Sequence, residues 1–155
     1  MKKIFLLFIL ISNYSFSQEL NVDFFERLNL LSIESVKEVL VEGYGFIKVR
    51  ENEYFHPKSS VEENNFLKIK VSDVQYQNKT KTLRNMEIIC SNNMDISKFK
   101  SELLEHNYEY QGSSKDKTVI DFNNYKKNDN KKEVNIIYVS DGDLKKYQII
   151  FITRE

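Results

Sequence analysis

Apolar residues recur at helical spacing in two separate stretches of the chain, residues 32–46 and 95–110. The positions that share this spacing are Ile33, Val36 and Leu40 in the first stretch and Ile96, Phe99 and Leu103 in the second. Steps of three and four residues place such side chains on one face of a helix. Ser32 and Asp95 stand directly before the two runs, and both residue types are favoured as N-caps. The pattern therefore predicts two amphipathic helices.

A turn and two aromatic residues follow each predicted helix. Gly43 ends the first helix, because its freedom to adopt a positive φ suits the position just past a helix, and Asn107 occupies the matching place in the second. The aromatic pairs that follow are Tyr44 with Phe46 and Tyr108 with Tyr110. We interpret the two stretches as copies of one helix-to-strand unit.

Alternating apolar and polar residues predict the strands, most cleanly in the sequence FLKIKV. The stretches with strand character are residues 46–50, 53–56, 66–71 and 83–91 in the first half, and residues 118–125, 133–139 and 144–153 in the second. The last strand repeats the strand at residues 83–91 with an offset of 61 positions, so that Ile88 corresponds to Ile149. Asp141 and Gly142 form a dipeptide typical of a tight hairpin.

These elements predict an α+β fold made of tandem helix-plus-three-strand repeats, with halves at residues 32–91 and 95–153. Strands joined by short connections pair antiparallel. We expect the helices to pack on one face of the sheet, because a helix with one apolar side and a half-apolar sheet each need a partner. Residues 18–31 predict a further short helix, in which Asp23 is the cap and Glu26 completes a capping-box spacing.

The opposite face of the predicted sheet has a mixed character. Its polar positions are expected to be Lys68, Lys70, Glu87, Asp121, Asn123, Asn135 and Gln148, and its apolar positions Ile89, Tyr125, Ile137 and Ile150. Such a face is either a binding surface or an interior closed by the Asp23 helix and the loops. Of the two interpretations we favour coverage.

Residues 1–17 have the three parts of a secretory signal peptide: two lysines after the first methionine, an apolar run, and small residues before a cleavage point between Ser17 and Gln18. The apolar run spans residues 4–11. Eight residues make about 12 Å of helix, against about 30 Å of bilayer hydrocarbon. We therefore predict a chain exported to the periplasm or the extracellular medium, with no transmembrane segment in the mature protein.

Cleavage would leave residues 18–155, the length of a single domain. These residues carry 21 basic and 23 acidic side chains, a net charge of −2. Such a balance argues against nucleic acid as a partner, because its binders concentrate positive charge. Cys90 is the only cysteine, so no intramolecular disulfide forms. Its place in the predicted strand MEIIC indicates a buried hydrophobe.

Candidate chemistry is sparse. His56 and His106 are the only histidines, and with one cysteine they do not supply the three or four ligands of a zinc site. Calcium-loop spacing, nucleophile motifs and phosphate-binding glycine loops are also absent from the sequence. We therefore assign no catalytic, cofactor-binding or metal-binding residue and expect no cofactor.

The resulting hypothesis is a non-enzymatic binding or interaction module that contacts another envelope or extracellular protein. Two alternatives stay open. One is a small hydrolase that uses Asp or Glu with His56 or His106, and the other is a carrier of a lipid or small apolar ligand in a cavity between helices and sheet. The sequence leaves the partner and the oligomeric state open.

The signal peptide followed by Gln18, the codon-biased composition rich in Asn, Ile, Lys, Tyr and Phe, and the short helix-turn-aromatic unit resemble small secreted proteins of Gram-negative bacteria. Over residues 32–153 the layout is similar to the tandem repeats of β-lactamase-inhibitor-like periplasmic proteins. That resemblance implies binding of other proteins through a sheet face. It is one of layout, and it assigns no functional residue.

Overall fold

The computed structural model describes residues 21–60, 66–75, 82–91, 95–114, 121–127, 131–141 and 144–154. The helices are α1 (Val22–Asn29), α2 (Ile33–Glu38), which continues as a π-helical turn (Val39–Gly43), and α3 (Ile96–Glu105). The strands are β1 (Ile47–Arg50), β2 (Glu53–Phe55), β3 (Leu67–Gln75), β4 (Thr82–Ser91), β5 (Tyr108–Ser114), β6 (Asp121–Lys127), β7 (Lys132–Asp141) and β8 (Leu144–Arg154).

All eight strands form one antiparallel sheet in the order β1-β2-β3-β4-β8-β7-β6-β5. Each half of the chain supplies four consecutive strands, and the last strands of the two halves, β4 and β8, are neighbours in the centre. Ile88 lies directly opposite Ile149 in this central pair, and β8 also pairs with β7 along its length. The prediction of an antiparallel sheet accompanied by helices is confirmed in this form.

The number of strands differs from the repeat prediction, because two helix-plus-three-strand units would supply six, whereas the stretches with strand character number seven and the structure has eight strands among the described residues. The second half gains β5, of which the sequence indicated only the start, at the aromatic pair Tyr108 and Tyr110 of the helix-to-strand unit. β5 is an edge strand in which Tyr108 is buried while the following tyrosine and most of its other residues are exposed, so the alternation that marks a half-buried strand is missing. A bulge between Tyr110 and Gly112 interrupts its pairing further.

The core lies between the helices and the sheet face that carries Ile88 and Ile149. Phe25 of α1 and Phe99 of α3 both contact the ring of Phe151 on β8, with centroids 5.9 and 6.2 Å apart. The two helical rings also contact each other at 6.2 Å. Other buried apolar residues of this cluster are Val22, Leu28, Val36, Leu40, Phe46, Tyr54, Leu67, Ile69, Val71, Met86, Cys90, Ile96, Leu103, Tyr108, Tyr125, Val134 and Ile136.

Each helix begins at a side-chain cap that its sequence supplies. Ser32 accepts a hydrogen bond from the amide of Ser35, and Asp95 accepts one from the amide of Lys98, as the sequence predicted. The cap of α1 differs from the prediction. Asn21 accepts from the amide at position 24, so Asp23 lies inside the first turn of the helix.

The turns after α2 and α3 are less alike than their sequences indicate. Asn107 has a φ of 63°, as predicted for a residue just past a helix, but Gly43 stays within the π-helical turn and Gly45 takes the positive φ of 71°. The first turn therefore holds one more residue than the second, which is what a π turn accommodates.

This extra residue changes the match between the aromatic pairs. Phe46 and Tyr108 are the buried members, whereas Tyr44 and Tyr110 are exposed. The predicted correspondence of Tyr44 with Tyr108 is therefore wrong by two residues, because the buried counterpart of Tyr108 is Phe46.

The predicted signal peptide, with its cleavage point between Ser17 and Gln18, lies outside the described residues. Gly142 of the predicted hairpin does as well, although the strands on either side of it pair as expected, with Asp141 opposite Leu144. Among the described residues, no helix has the length and apolar character needed to cross a bilayer.

Candidate functional site

The sheet has a second face, opposite the helices, which we call the outer face. Cross-strand register places Ile89 of β4 opposite Gln148 of β8, and Ile137 of β7 opposite the same glutamine. Ile150 and Ile152 follow at alternate positions of β8. These four isoleucines are half-buried and lie on the three central strands, and we call them the isoleucine patch.

Hydrogen-bonded polar side chains lie next to the isoleucine patch. Gln148 donates to Glu87 across the central strand pair at 2.6 Å. Glu133 on β7 is the centre of a second group, because it accepts from Asn124 at 2.8 Å, from Asn135 at 3.2 Å and from Arg154 at 2.7 Å. These bonds satisfy the carboxylates and hold their side chains against the sheet surface.

On the other side of the patch, two lysines share one carboxylate. Glu53 of β2 lies 3.8 Å from Lys68 and 3.6 Å from Lys70, both on β3. The spacing between lysines and carboxylate is too long for strong hydrogen bonds, so the pairs are mainly electrostatic. Glu53 is only 13% exposed and Lys70 is 46% exposed, so water reaches the lysine more than the carboxylate.

Most residues predicted for the outer face lie there, including Lys68, Lys70, Glu87, Asn135, Gln148 and three of the predicted isoleucines, Ile89, Ile137 and Ile150. Asp121, Asn123 and Tyr125 do not, and their placement was wrong. They pair with Tyr138, Ile136 and Val134, so they face the helices. Asp121 is partly exposed and lies 4.0 Å from Lys100 of α3, whereas Asn123 is buried on that face.

The predicted coverage of the outer face by the Asp23 helix is wrong. That helix, α1, packs against the inner face, where Phe25 contacts Phe151, and Asn29 donates to Thr153 at 2.9 Å. The other two helices contribute their buried side chains to the same core. Of the described helices, then, none lies on the outer face.

A charged cluster lies on the helix side and joins three parts of the chain. Glu26 of α1 accepts hydrogen bonds from Lys127 at 2.7 Å and from the hydroxyl of Tyr108 at 3.0 Å. His106 Nδ1 lies 3.1 Å from the second carboxylate oxygen, and Lys132 Nζ lies 3.7 Å from the first. We call these five residues the Glu26 cluster.

The side chain of Glu26 is only 12% exposed, and its ionised form is favoured nonetheless. Burial raises the pKa of this carboxyl, but the hydrogen bonds from Lys127, Tyr108 and His106 and the charge of Lys127 outweigh it, so the net pKa is lowered. The ionised Glu26 carboxylate, with its four neighbours, therefore connects α1 to the residue that follows α3 and to strands β5, β6 and β7. The sequence offered no sign of the cluster, because its members are spread from residue 26 to residue 132.

The other candidate side chains have structural surroundings. His56 accepts a hydrogen bond from the amide of Lys58 at 3.2 Å, and its ring packs edge-on against Phe46 at 5.1 Å. Cys90 is buried as predicted, and burial raises the pKa of its thiol to about 12. Within the part of the chain that the structure describes, no three His, Cys, Asp or Glu side chains are grouped so as to hold a metal ion.

Comparison with protein-family models, with curated proteins and with solved structures finds no match for this chain.

Proposed function

We propose that the chain is an exported, non-enzymatic binding protein of the cell envelope or the extracellular medium, which docks another protein on the outer face of its sheet. The observation that carries the proposal is the isoleucine patch. Four half-buried isoleucines lie at the middle of a face against which no described helix packs, and hydrogen-bonded polar groups lie beside them.

An apolar centre with a polar rim is the usual anatomy of a protein interface. The outer face also has a fixed polar arrangement, since Glu87 and Glu133 are already held by neighbours on the sheet. A partner therefore meets ordered side chains, which reduces the entropy lost on binding.

The similarity of the two halves of the chain also supports the proposal. We infer a tandem duplication, because Ile88 and Ile149 correspond at the sequence offset of 61 and also lie directly opposite each other in the sheet. A two-fold axis that relates the two halves and passes between Ile88 and Ile149 accounts for both the sequence offset and the pairing. Such a doubled helix-and-strand layout is similar to that of β-lactamase-inhibitor-like proteins, which bind through a sheet face.

Lysine crosslinking of intact cells, followed by mass spectrometry, tests the proposal. The outer face carries Lys68, Lys70, Lys126 and Lys146, whereas the helices carry Lys37, Lys98 and Lys100. We expect crosslinks to other proteins to form mainly at the outer-face lysines and to be lost in the variant Ile150→Asp. The matched control is Leu104→Asp, an exposed leucine on α3. Crosslinks that form equally on both sides, or that survive in Ile150→Asp, would contradict the proposal.

One observation favours a second candidate function, a small hydrolase. His106 Nδ1 and a Glu26 oxygen are 3.1 Å apart, which is the distance at which a carboxylate orients a histidine base. Lys127, Lys132 and Tyr108 contact the same carboxylate, which favours a structural role for Glu26 over a catalytic one. Substitution of His56 and His106 together should remove activity in a hydrolase substrate screen if this candidate is correct, and should leave the screen unchanged if it is not.

A further inference from the structure

A carboxylate and two tyrosines form one cross-strand row on the inner face of the sheet, near the end where β6 and β8 begin. Asp121 of β6 lies opposite Tyr138 of β7, which in turn lies opposite Tyr147 of β8. Side chains in such directly opposed positions have Cβ atoms about 5 Å apart. The two tyrosine rings are 4.9 Å apart between centroids and are inclined to each other at 45°. We call these three residues the Asp121 row.

The exposure of the row decreases from the carboxylate toward the core. The side chain of Asp121 is 42% exposed, and both tyrosines are half-buried. Tyr147 lies opposite Cys90, which is buried. The two rings are therefore held from the core side, while the carboxylate and the ring surfaces beside it remain in contact with solvent.

Two of the helices approach β7 and β8 at different ends. α1 contacts Lys132 and Thr153, which lie opposite each other in the β7–β8 pair. The tyrosines of the row are six residues from these positions (132 to 138 and 147 to 153), which is about 20 Å along a strand. α3 reaches the row through Lys100, whose Nζ lies 4.0 Å from an oxygen of Asp121. The row thus lies beside α3 and away from α1.

Asp121 gives the row a negative charge that extends across both rings. Burial raises the pKa of the Tyr147 hydroxyl, and the charge of Asp121 raises it further although Tyr138 lies between the two residues. Lys100 neutralises this charge only in part, because the distance of 4.0 Å is too long for a hydrogen bond. A cation that approaches the carboxylate more closely than Lys100 therefore gains electrostatic energy.

A carboxylate beside aromatic rings suits an organic cation. The face of an aromatic ring carries partial negative charge and attracts a cation within about 6 Å of its centroid, and quaternary ammonium groups are the ligands typically bound in this way. A metal ion fits the row less well, because Ca²⁺ and Mg²⁺ take several oxygen ligands and the row offers a single carboxylate. An anion would be repelled by both the carboxylate and the ring faces.

A second tyrosine pair on the inner face provides a comparison. Tyr110 lies opposite Tyr125, with ring centroids 5.3 Å apart. Tyr110 is 49% exposed and Tyr125 is buried, and on its other side Tyr125 lies opposite Val134. Asp121 is four residues away along β6. This pair therefore offers one accessible ring without a carboxylate directly opposite.

We propose that the Asp121 row binds an organic cation that carries a quaternary ammonium group. The carboxylate of Asp121 balances the charge of the ligand, and the rings of Tyr138 and Tyr147 contact its methyl groups. Lys100 competes with the ligand for the same carboxylate. The row lies on the helix side of the sheet, so this binding is separate from the proposed docking of a protein on the outer face and does not depend on it.

Amide chemical shifts of the mature protein, measured at neutral pH and constant ionic strength, test the inference with three probes. These are choline, its neutral isostere 3,3-dimethyl-1-butanol, and phosphatidylcholine vesicles. We expect choline to shift amides at the three positions of the row with a dissociation constant on the order of 1–10 mM, and the isostere to bind at least about fivefold more weakly. Shifts with the vesicles as well would identify a lipid headgroup as the ligand, whereas shifts with choline alone would identify a free compound.

Variants locate the site. Asp121→Asn should weaken choline binding about fivefold or more, because it removes the charge and keeps the shape of the side chain. Tyr138→Leu should also weaken it, whereas the matched control Tyr110→Leu should change it about twofold or less. Lys100→Gln should strengthen binding about twofold, a gain that a poorly folded variant would not give. Equal binding of choline and its isostere, unchanged binding in Asp121→Asn, or weaker binding in Lys100→Gln would overturn the inference.

Discussion

Removal of the charge on Glu26 should destabilise the protein, because this carboxylate joins α1 to the rest of the fold. The perturbation is Glu26→Gln, which keeps the size of the side chain and one oxygen acceptor. It removes the negative charge that Lys127 and Lys132 face at 2.7 and 3.7 Å. It also replaces one of the two carboxylate oxygens by an NH2 group. This group cannot accept a hydrogen bond, so the contact with either His106 or Lys127 is lost.

The magnitude follows from the contacts. A hydrogen bond to a charged group contributes about 1.5–3 kcal/mol, and Glu26 makes a short one to Lys127 and another to the Tyr108 hydroxyl. The lysines keep part of their contact with water, which screens the interaction. We therefore expect a loss of about 2 kcal/mol in the free energy of unfolding at pH 7. For a domain of this size the melting temperature should fall by about 6–10 °C.

The dependence on pH has a defined sign. The pKa of Glu26 is lowered in the folded protein from its ordinary value of 4.5, so the carboxylate stabilises the fold above that value and the stabilisation is lost as pH falls through the lowered pKa. Glu26→Gln carries no titrating group at this position. The difference in stability between the natural protein and the variant should therefore be present above pH 4.5 and should shrink as the pH falls through the lowered pKa of Glu26.

Urea unfolding of the mature protein, measured at pH 7 and again in steps below pH 4.5, provides the assay. Asp23→Asn is the matched control, because it removes one carboxylate from the same helix whose partner, Arg27, is an exposed neighbour one turn away. This control should cost less than about 1 kcal/mol. Equal destabilisation of the two variants, or a cost of Glu26→Gln that is the same at every pH, would show that the Glu26 carboxylate does not stabilise the fold in this way.

Three further predictions concern packing, backbone and the thiol. Phe25→Ala should lower the free energy of unfolding by about 3–5 kcal/mol in urea titrations, because the ring is fully buried against Phe99 and Phe151; a loss under about 1 kcal/mol would contradict this packing. Asn107→Val should cost about 1–2 kcal/mol, since its φ is 63°, whereas Asn107→Gly should be tolerated, and equal stability of the two variants would argue against the left-handed turn. Cys90, with its pKa raised to about 12, should react with an aromatic disulfide reagent at pH 8 only after unfolding, which absorbance would follow; rapid labelling of the folded protein would show the thiol to be accessible.

The parts of the fold that the sequence predicted are those that depend on local pattern. Ser32 and Asp95 mark helix starts because a capping side chain bonds to an amide three residues away. The correspondence of Ile88 with Ile149 predicted which strands are equivalent, and the sheet places the two residues opposite each other.

The parts that the sequence missed depend on distant partners or on position within the sheet. β5 has little alternation because one of its edges pairs with no described strand, so its apolar content is low. Asn123 was placed on the wrong face because the face of a β6 residue depends on the register with β7, where Asn123 lies opposite Ile136, and a shift of one residue moves every side chain to the other face. The Glu26 cluster joins residues 80 and more positions apart, for which a single sequence carries no local signal.

Site-specific photocrosslinking in living cells shows directly whether the outer face binds another protein. A photoreactive residue at position 89 lies within the isoleucine patch, and the same residue at position 104 lies on the exposed side of α3. We expect a discrete crosslinked protein from position 89 and none from position 104. Crosslinking from position 104 alone, or from neither position while the protein is folded and abundant, would contradict it.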